Sequence, residues 1–271
     1  MTHERRVQRF YARGVERYGD FHDNYLNFGL WRSAGLDYVA AAQALLAAVA
    51  ETVDLARDSA VLDAACGMGT QDRFLVERYG CCIEAVDLTP EHIAVASRKH
   101  SLTKVRYRVA DACRLPFEAR TFTHVIAIEG IVHFRTRRRF FEEAYRVLAP
   151  GGRLGVSDFF LRRAPRGLLE RALLRAGTAA WHVPPENIST LERYRDALER
   201  AGFVEASFED VSVDTIPGYL QEQARPQIRR RSYAIRGQVI GRLATALDRL
   251  VLGLYRAGLV GYVIAHGRKP G

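Results

Sequence analysis

Lysine is almost absent from this chain. Only three of its 40 basic residues are lysines, at positions 99, 104 and 269, so the net charge of +9 comes almost entirely from arginine. Positive charge of this size is compatible with binding to nucleic acid, to anionic lipid or to an acidic small molecule. The arginines are spread along the sequence, with local groups at residues 135–139, 162–166 and 225–231. A solvated basic surface explains such groups most simply, so the charge alone selects no function.

The sequence also has no apolar run that approaches the length of a membrane span, and it has little cysteine. Residues 1–18 are charged and have no apolar segment, so a secretory signal is not expected. The four cysteines include no CxxC pair, and the adjacent Cys81 and Cys82 make a poor disulfide candidate. We therefore expect four small, buried, reduced cysteines that bind no metal, in a cytoplasmic protein without stable membrane insertion.

What the chain does have is a regular alternation of apolar runs and helical patterns. Runs with β-branched residues fall at 60–64, 82–87, 105–110, 122–128, 153–158, 203–213 and 260–267. Helical patterns fall at 37–54, 70–79, 90–99, 136–148 and 190–201, and Thr89-Pro90 supplies a cap and a first-turn proline for the third. The alternation predicts an α/β fold: a doubly wound, Rossmann-like, mostly parallel seven-stranded sheet with helices on both faces.

The other segments predict a division of the chain into four parts. Residues 1–58 would hold N-terminal helices, the first an amphipathic one over 1–24, and an aromatic cap loop. Residues 59–215 would form the α/β core. Residues 216–259 would form a helical lid inserted before the last strand, which residues 260–271 supply.

The most informative stretch is 61–70, Val-Leu-Asp-Ala-Ala-Cys-Gly-Met-Gly-Thr. An apolar strand, a carboxylate, a tight glycine turn and a helix start are typical of a loop that holds a nucleotide-like cofactor. Strand ends would bring Asp63, Asp87 and Asp111 to one crevice, with Asp87 about twenty residues beyond the glycines, the position of a ribose-binding carboxylate. Asp72 occupies the third glycine position of the dinucleotide motif, where its charge would repel a pyrophosphate. The pattern therefore favours a neutral or cationic nucleoside.

Five stretches in the right order resemble the class I S-adenosylmethionine-dependent methyltransferases. They are 61–69, 85–90, 110–117, 122–134 and 146–152. A wider similarity is to the small-molecule enzymes of natural-product pathways, of the rebeccamycin-sugar and erythromycin O-methyltransferase type. It is carried by residues 27–31, 129–134 and 261–270. The resemblance implies S-adenosylmethionine as the cofactor and S-adenosylhomocysteine as its product.

The resemblance also implies a role for residues at the ends of the first four strands. The cofactor-binding residues would be Asp63, Ala65, Gly67, Gly69, Asp87, Leu88, Asp111, Ala112 and Glu129. Asp63 and the glycine turn would hold the methionine end, Asp87 the ribose hydroxyls, and Leu88 the adenine face. Asp111 and Ala112 would meet the adenine amine and a ring nitrogen.

His133, which follows the fourth strand, is the candidate general base, because a neutral imidazole can take a hydroxyl proton near neutral pH. Several related sugar methyltransferases have two histidines in this element, whereas Val132 holds the first position here. Asp158, at the end of the fifth strand, is the second catalytic candidate. Phe28 and Trp31 are expected to join His133 in binding the acceptor, with their rings beside the sulfonium.

Residues 216–259 are expected to cover the crevice, with an apolar run at 239–259 against the acceptor. The arginines of this segment would then form a basic rim suited to an anionic acceptor. These are Arg225, Arg229, Arg230 and Arg231. The alternative is a packed helix pair with a solvated arginine face.

The leading functional hypothesis is O-methylation of a small, largely apolar natural product or its sugar. Three alternatives stay open: C-methylation of an isoprenoid or quinone-type precursor, a methyltransferase-fold cyclase or binding scaffold, and RNA methylation. Against RNA, the sequence has neither an appended RNA-binding module nor an Asn/Asp-Pro-Pro-Tyr motif. We expect a small-molecule acceptor and no nucleic-acid partner. The acceptor's identity and the oligomeric state stay open, a homodimer being one option.

Overall fold

The computed structural model describes residues 1–12 and 22–271. Its seven strands are β1 (Ala60–Ala64), β2 (Cys82–Asp87), β3 (Val105–Val109), β4 (Phe122–Ile128), β5 (Leu148–Leu161), β6 (Val204–Asp210) and β7 (Val260–Arg268). They form one sheet in the order β3-β2-β1-β4-β5-β7-β6. The first five strands are parallel, and β7 is antiparallel to both of its neighbours. The predicted mostly parallel seven-stranded sheet is thus confirmed.

The described residues form ten α-helices. They are α1 (His3–Ala12), α2 (Tyr38–Thr52), α3 (Thr70–Tyr79), α4 (Pro90–Lys99), α5 (Arg137–Val147), α6 (Gly167–Ala180), α7 (Leu191–Ala201), α8 (Ser212–Ala224), α9 (Pro226–Arg236) and α10 (Gln238–Arg256). The patterns at 70–79 and 90–99 match α3 and α4 residue for residue. Thr89 does precede α4, but its side chain makes no capping bond, and its amide instead donates to Asp87.

Helices cover both faces of the sheet, as a doubly wound fold requires. On one face α5 and α7 pack aromatic side chains against β1, β4 and β5, including Phe140, Phe141 and Tyr194. On the other face α2, α8 and the loop before α2 pack against β5 and β7, through Leu45 and Ile216. Because both faces are covered, the central strands are buried along nearly their whole length.

Three elements differ from the sequence prediction. The fifth strand is much longer than residues 153–158, because β7 pairs with it as far as Leu161. Helix α6 was not predicted, and it buries none of its own residues. The predicted helix over 1–24 is described only as α1, because residues 13–21 lie outside the described residues.

The predicted lid corresponds to α8, α9 and α10, which lie between β6 and β7. Within residues 1–12 and 22–271, no helix is both long enough and apolar enough to cross a bilayer. All four cysteines are free, but Cys82 is exposed, contrary to the expectation that all are buried. Its side chain lies at the first residue of β2, where the strand enters the sheet.

Candidate active site

A cavity of about 860 Å³ lies beyond the carboxyl ends of β1 to β4, where an open parallel sheet binds its ligand. Helix α1, the loop before α2, the lid helices and the end of α6 close it. Nine of the predicted site residues line this cavity. They are Phe28, Ala65, Gly67, Asp87, Leu88, Asp111, Ala112, Glu129 and His133. Four others, Asp63, Gly69, Asp158 and Trp31, are not among the lining residues.

The turn after β1 is held in a left-handed conformation. Ala65, Gly67 and Gly69 have φ values of +72°, +56° and +82°. A side chain on Gly69 would lie 2.7 Å from the Tyr107 hydroxyl and 2.8 Å from Ala96, so Gly69 serves the packing of the turn and does not face the cavity. The resulting curve leaves the main chain of residues 65–68 exposed to the cavity.

Asp87 is an ionised hydrogen-bond acceptor at the cavity wall. Its Oδ2 accepts from the Gly67 amide at 3.0 Å, and its Oδ1 accepts from the Thr89 amide at 2.8 Å. Burial alone would raise the pKa of Asp87, but hydrogen bonding and charge from His92, with these amides, outweigh it and lower the pKa. A charged carboxylate held in this way fits a ribose diol.

A second carboxylate, Asp111, follows β3. Its Oδ1 accepts from the Cys113 amide at 2.8 Å, which fixes the turn and leaves the other oxygen for a ligand. Ala112 is buried beside it, and Leu88 contributes an apolar side chain from the end of β2. Together they fit an adenine ring with its exocyclic amine.

Asp63 and Asp72 lie below the cavity and do not contact its interior. Both are fully buried, and burial raises the pKa of Asp63 to about 6, although hydrogen bonds from Asp72 and Gln71 oppose the rise. Burial also raises the pKa of Asp72 well above its ordinary value, and the charge of Asp63 adds to that rise. The prediction that Asp72 repels an anionic ligand is therefore wrong, since its side chain is fully buried, does not line the cavity, and has a pKa that burial raises. Gln71 reaches the cavity instead and donates to Asp63 Oδ2 at 2.5 Å. Sequence reasoning missed Gln71, although it lies in the first turn of α3.

Glu129 follows β4 with a φ of +57° and lines the cavity. Its Oε1 accepts from the Phe28 amide at 2.6 Å and from the Tyr262 hydroxyl at 2.5 Å. Burial raises its pKa to about 8, and these two donors only partly oppose the rise. Glu129 is therefore a mostly neutral carboxyl at pH 7. It connects the loop before α2 and β7 to the cavity wall.

His133 ends a short 3₁₀ turn (Ile131–His133) at the cavity wall, and its partner comes from α1. Its Nε2 is 2.7 Å from the Tyr11 hydroxyl, and its main-chain oxygen accepts from His3 at 2.8 Å. Burial lowers the pKa of His133 to about 4, and the Trp181 carbonyl only partly opposes this. The imidazole is therefore neutral at pH 7 and able to accept a proton. Tyr11 was recognised in the sequence only as part of an amphipathic helix.

Asp158 has a structural role, contrary to the catalytic role predicted for it. Its side chain has no exposed surface, and its Oδ2 accepts from Arg137 at 2.7 and 3.0 Å and from the Tyr194 hydroxyl at 3.4 Å. Its Oδ1 accepts from the Phe159 amide at 2.7 Å. Because both oxygens are engaged inside the protein, Asp158 cannot touch an acceptor. It fixes α5 against β5.

Aromatic rings form the wall opposite the strand ends. Phe28 stacks on Tyr219 at 3.9 Å and meets Phe159 and Trp181 edge-on at 4.9 and 5.9 Å. Trp31 does not belong to this wall: its ring lies over Gly218 and its Nε1 donates to the Phe28 carbonyl at 2.9 Å. Trp31 therefore supports the position of Phe28 by hydrogen bonding to its main chain.

Most of the lid residues that face the cavity are apolar, including Ile235, Leu247 and Leu250. None of the four arginines predicted to form a basic rim lines the cavity, and all four are exposed. Of the lid's arginines only Arg236 does line it, together with Asp248 of α10. The predicted basic rim is therefore wrong, because those guanidinium groups face away from the cavity.

Comparisons with known proteins identify the family of this chain. Residues 61–152 match a methyltransferase domain family. The chain is 32% identical over 264 residues to erythromycin 3''-O-methyltransferase of Saccharopolyspora erythraea, covering 91% of this chain and 84% of that protein. It is 27% identical to 27-O-demethylrifamycin SV methyltransferase of Amycolatopsis mediterranei, over 96% of each.

Among solved structures, the [4+2]-cyclase SpnF superposes with a TM-score of 0.77 and 25% identity, covering 97% of this chain and 95% of that one. The match to the erythromycin enzyme is above 30% identity and covers 91% of this chain and 84% of that protein, and the cavity contains the carboxylate of Asp87 at the end of β2. The chain therefore belongs to the class I S-adenosylmethionine-dependent methyltransferases of natural-product type, with S-adenosylmethionine as its cofactor.

Proposed function

We propose that this enzyme methylates a hydroxyl oxygen of a small, largely apolar natural product or its sugar, with His133 as the general base. The observation that carries the proposal is the 2.7 Å contact between His133 Nε2 and the Tyr11 hydroxyl at the cavity wall. The 32% identity to an O-methyltransferase supports the same chemistry.

We propose that the cavity-lining residues at the carboxyl ends of β1 to β4 hold the cofactor. Asp87 would bind the ribose hydroxyls, while Asp111, Ala112 and Leu88 would contact the adenine. When bound, the sulfonium supplies an already activated methyl group, so the protein must chiefly orient the acceptor and exclude water. Residues 212–256 cover the cavity, so they are suited to excluding water from it.

His133 and Tyr11 would remove the acceptor's proton together. In the tautomer with hydrogen on Nδ1, the Tyr11 hydroxyl donates to His133 Nε2. An acceptor hydroxyl bound beside Tyr11 would pass its proton to the phenol oxygen as the phenol proton moves to Nε2. The deprotonated acceptor oxygen would then be free to bond to the methyl carbon of a bound cofactor, with the sulfur–carbon bond breaking and S-adenosylhomocysteine as the leaving group.

The test is to replace His133 by Ala and Tyr11 by Phe and to measure S-adenosylhomocysteine formation on a panel of apolar alcohols and glycosides. We expect His133→Ala to lower turnover about 10²–10⁴-fold, the range for a general base, and Tyr11→Phe to lower it by a similar factor, because the acceptor's proton would pass through the Tyr11 hydroxyl. Binding of S-adenosylhomocysteine by calorimetry should stay near the wild-type value. His266→Ala, outside the cavity, is the matched control. Unchanged turnover in His133→Ala would reject the base.

C-methylation is the second candidate, and the aromatic wall of Phe28, Phe159, Trp181 and Tyr219 favours it. Such rings stabilise a carbocation, which a C-methylated alkene would form. NMR of the product distinguishes the two, since an O-methyl and a C-methyl group give different carbon shifts. Conversion without S-adenosylhomocysteine would instead indicate a cyclase.

A further inference from the structure

The lid has a strongly basic outer surface. Helices α9 and α10 contain seven arginines and a single acidic residue, Asp248. Five of these arginines are exposed and form no ion pair or side-chain hydrogen bond within residues 1–12 and 22–271. They are Arg230, Arg231, Arg242, Arg249 and Arg256. Because no carboxylate of the described residues pairs with them, their guanidinium groups are available to an anionic partner.

Helix α10 places an exposed apolar strip beside some of these arginines. Arg242, Arg249 and Arg256 are seven residues apart, about two helical turns, so they share one side of the helix. Val239 and Leu243 are 73% and 64% exposed, and Val239 lies three residues before Arg242, next to it on the helix surface. An exposed aliphatic strip beside a basic strip is typical of a helix that lies in the interface of an anionic membrane.

The exposed apolar strip continues into the cavity. Ile240 and Leu243 line the cavity and are also 50% and 64% exposed, whereas Val239 does not line it. An apolar path therefore leads from the outer face of α10 into the space below the lid. An apolar molecule dissolved in lipid can follow such a path without entering bulk water, where its exposed surface would be costly.

The chemistry of this surface favours a lipid bilayer over other anionic partners. The exposed side chains beside the arginines are aliphatic, whereas proteins that bind single-stranded nucleic acid use aromatic rings on which the bases stack. A helix presents these side chains as a convex ridge, and a protein partner would need a surface complementary to that ridge. A bilayer needs no matching shape, and its anionic lipids attract arginines at the surface.

We propose that the outer face of the lid, formed by the five unpaired arginines with Val239, Ile240 and Leu243, docks reversibly on an anionic phospholipid bilayer. An apolar acceptor would then enter the cavity from the lipid. This inference goes beyond the proposed function, because it concerns the outer surface of the lid and does not depend on which atom is methylated. It requires no membrane-spanning segment.

The test is sedimentation of the full-length protein with sucrose-loaded vesicles. One set contains phosphatidylcholine alone, and the other contains phosphatidylcholine with about one third phosphatidylglycerol. We expect binding to the mixed vesicles in about 50 mM NaCl, and much weaker binding to the neutral vesicles or in about 500 mM NaCl. The double change Arg242→Gln with Arg249→Gln should weaken binding to mixed vesicles about 25-fold, since each arginine at an anionic surface contributes about fivefold. Val239→Ser should weaken it about tenfold, because one aliphatic side chain no longer leaves water.

Two matched controls lie elsewhere on the surface. Arg193 and Arg200 are exposed and seven residues apart on α7, which packs on the sheet face opposite to that of α10. Val204 is a 39% exposed valine of β6. Arg193→Gln with Arg200→Gln, and Val204→Ser, should leave vesicle binding unchanged.

Two results would overturn the inference and leave the proposed methyl transfer standing. One is wild-type protein that does not sediment with the mixed vesicles in low salt, or that loses binding equally in the α7 control. The other is tighter binding to polyuridylate or polyglutamate than to the mixed vesicles, which would indicate a nucleic acid or an acidic protein as the partner.

Discussion

At the residue scale, the chemistry of this protein depends on which titratable side chains are neutral. His133 and Glu129 both line the cavity, and burial shifts the pKa of each toward its uncharged form. Asp87 is the contrast, because two amides and His92 hold it ionised in the same cavity. Because the hydrogen bonds of these residues differ, one cavity contains both a neutral base and a charged carboxylate that can bind the ribose.

A pH profile tests the neutral base. An imidazolium cannot accept a proton, so turnover should fall as the pH falls through about 4, the pKa of His133, and not through the ordinary value of 6.5. Because His133 stays neutral from pH 5.5 to 7, we expect its titration to leave the rate unchanged over that range. The measurement is initial S-adenosylhomocysteine formation, with circular dichroism at each pH to show that the protein stays folded. An acidic limb centred near 6.5 would contradict the buried, neutral histidine.

At the scale of elements, the aromatic wall depends on the contact between α8 and the loop before α2. Trp31 lies flat over Gly218, and its main-chain amide donates to the Asp214 carbonyl at 2.6 Å. A Cβ atom on Gly218 would lie 2.2 Å from the indole ring. Only glycine therefore lets α8 approach the loop closely enough for Tyr219 to stack on Phe28.

Gly218→Ala should accordingly lower the free energy of unfolding by about 1–3 kcal/mol, the usual cost of overpacking. Gly253→Ala is a matched control in α10, where an added Cβ would meet nothing within 4 Å. That substitution should stabilise the protein by about 0.5–1 kcal/mol, because alanine loses less backbone entropy in a helix. Urea denaturation measures both, and equal effects of the two changes would disprove the close contact.

At the scale of the whole molecule, buried carboxyl groups couple stability to pH. Burial raises the pKa of Asp72 well above its ordinary value and that of Glu129 to about 8. The folded protein therefore keeps protons that the unfolded chain releases, so this contribution to stability is present at low pH and is lost as the pH rises through the folded-state values. His22 and His133 do not oppose this between pH 7 and 9, because both are neutral there when folded and mostly neutral when unfolded.

We expect the ligand-free protein to lose stability from pH 7 to pH 9, and Asp72→Asn to lose less. The amide stays neutral at every pH, so it avoids the cost of ionising a buried group beside Asp63. Thermal unfolding followed by circular dichroism at both pH values measures the change, and Asp58→Asn, at an exposed carboxylate, is the control. Identical pH slopes in Asp72→Asn and the wild type would show that the buried pair does not titrate in this range.

The sequence by itself determined the sheet, the limits of five of the ten described helices to within two residues, and the family. These depend on local patterns and on the rule that parallel strand ends share one edge. The helices at 70–79 and 90–99, and the acidic residues at the carboxyl ends of β2 and β3, were predictable for this reason. Only the tertiary structure decided which side chains reach the cavity. Asp158 is fully buried and paired with Arg137, and Tyr11 contacts a histidine 122 residues away. The burial and pairing of a side chain depend on residues far away in the sequence, and the spacing of residues along the chain does not show which residues those are.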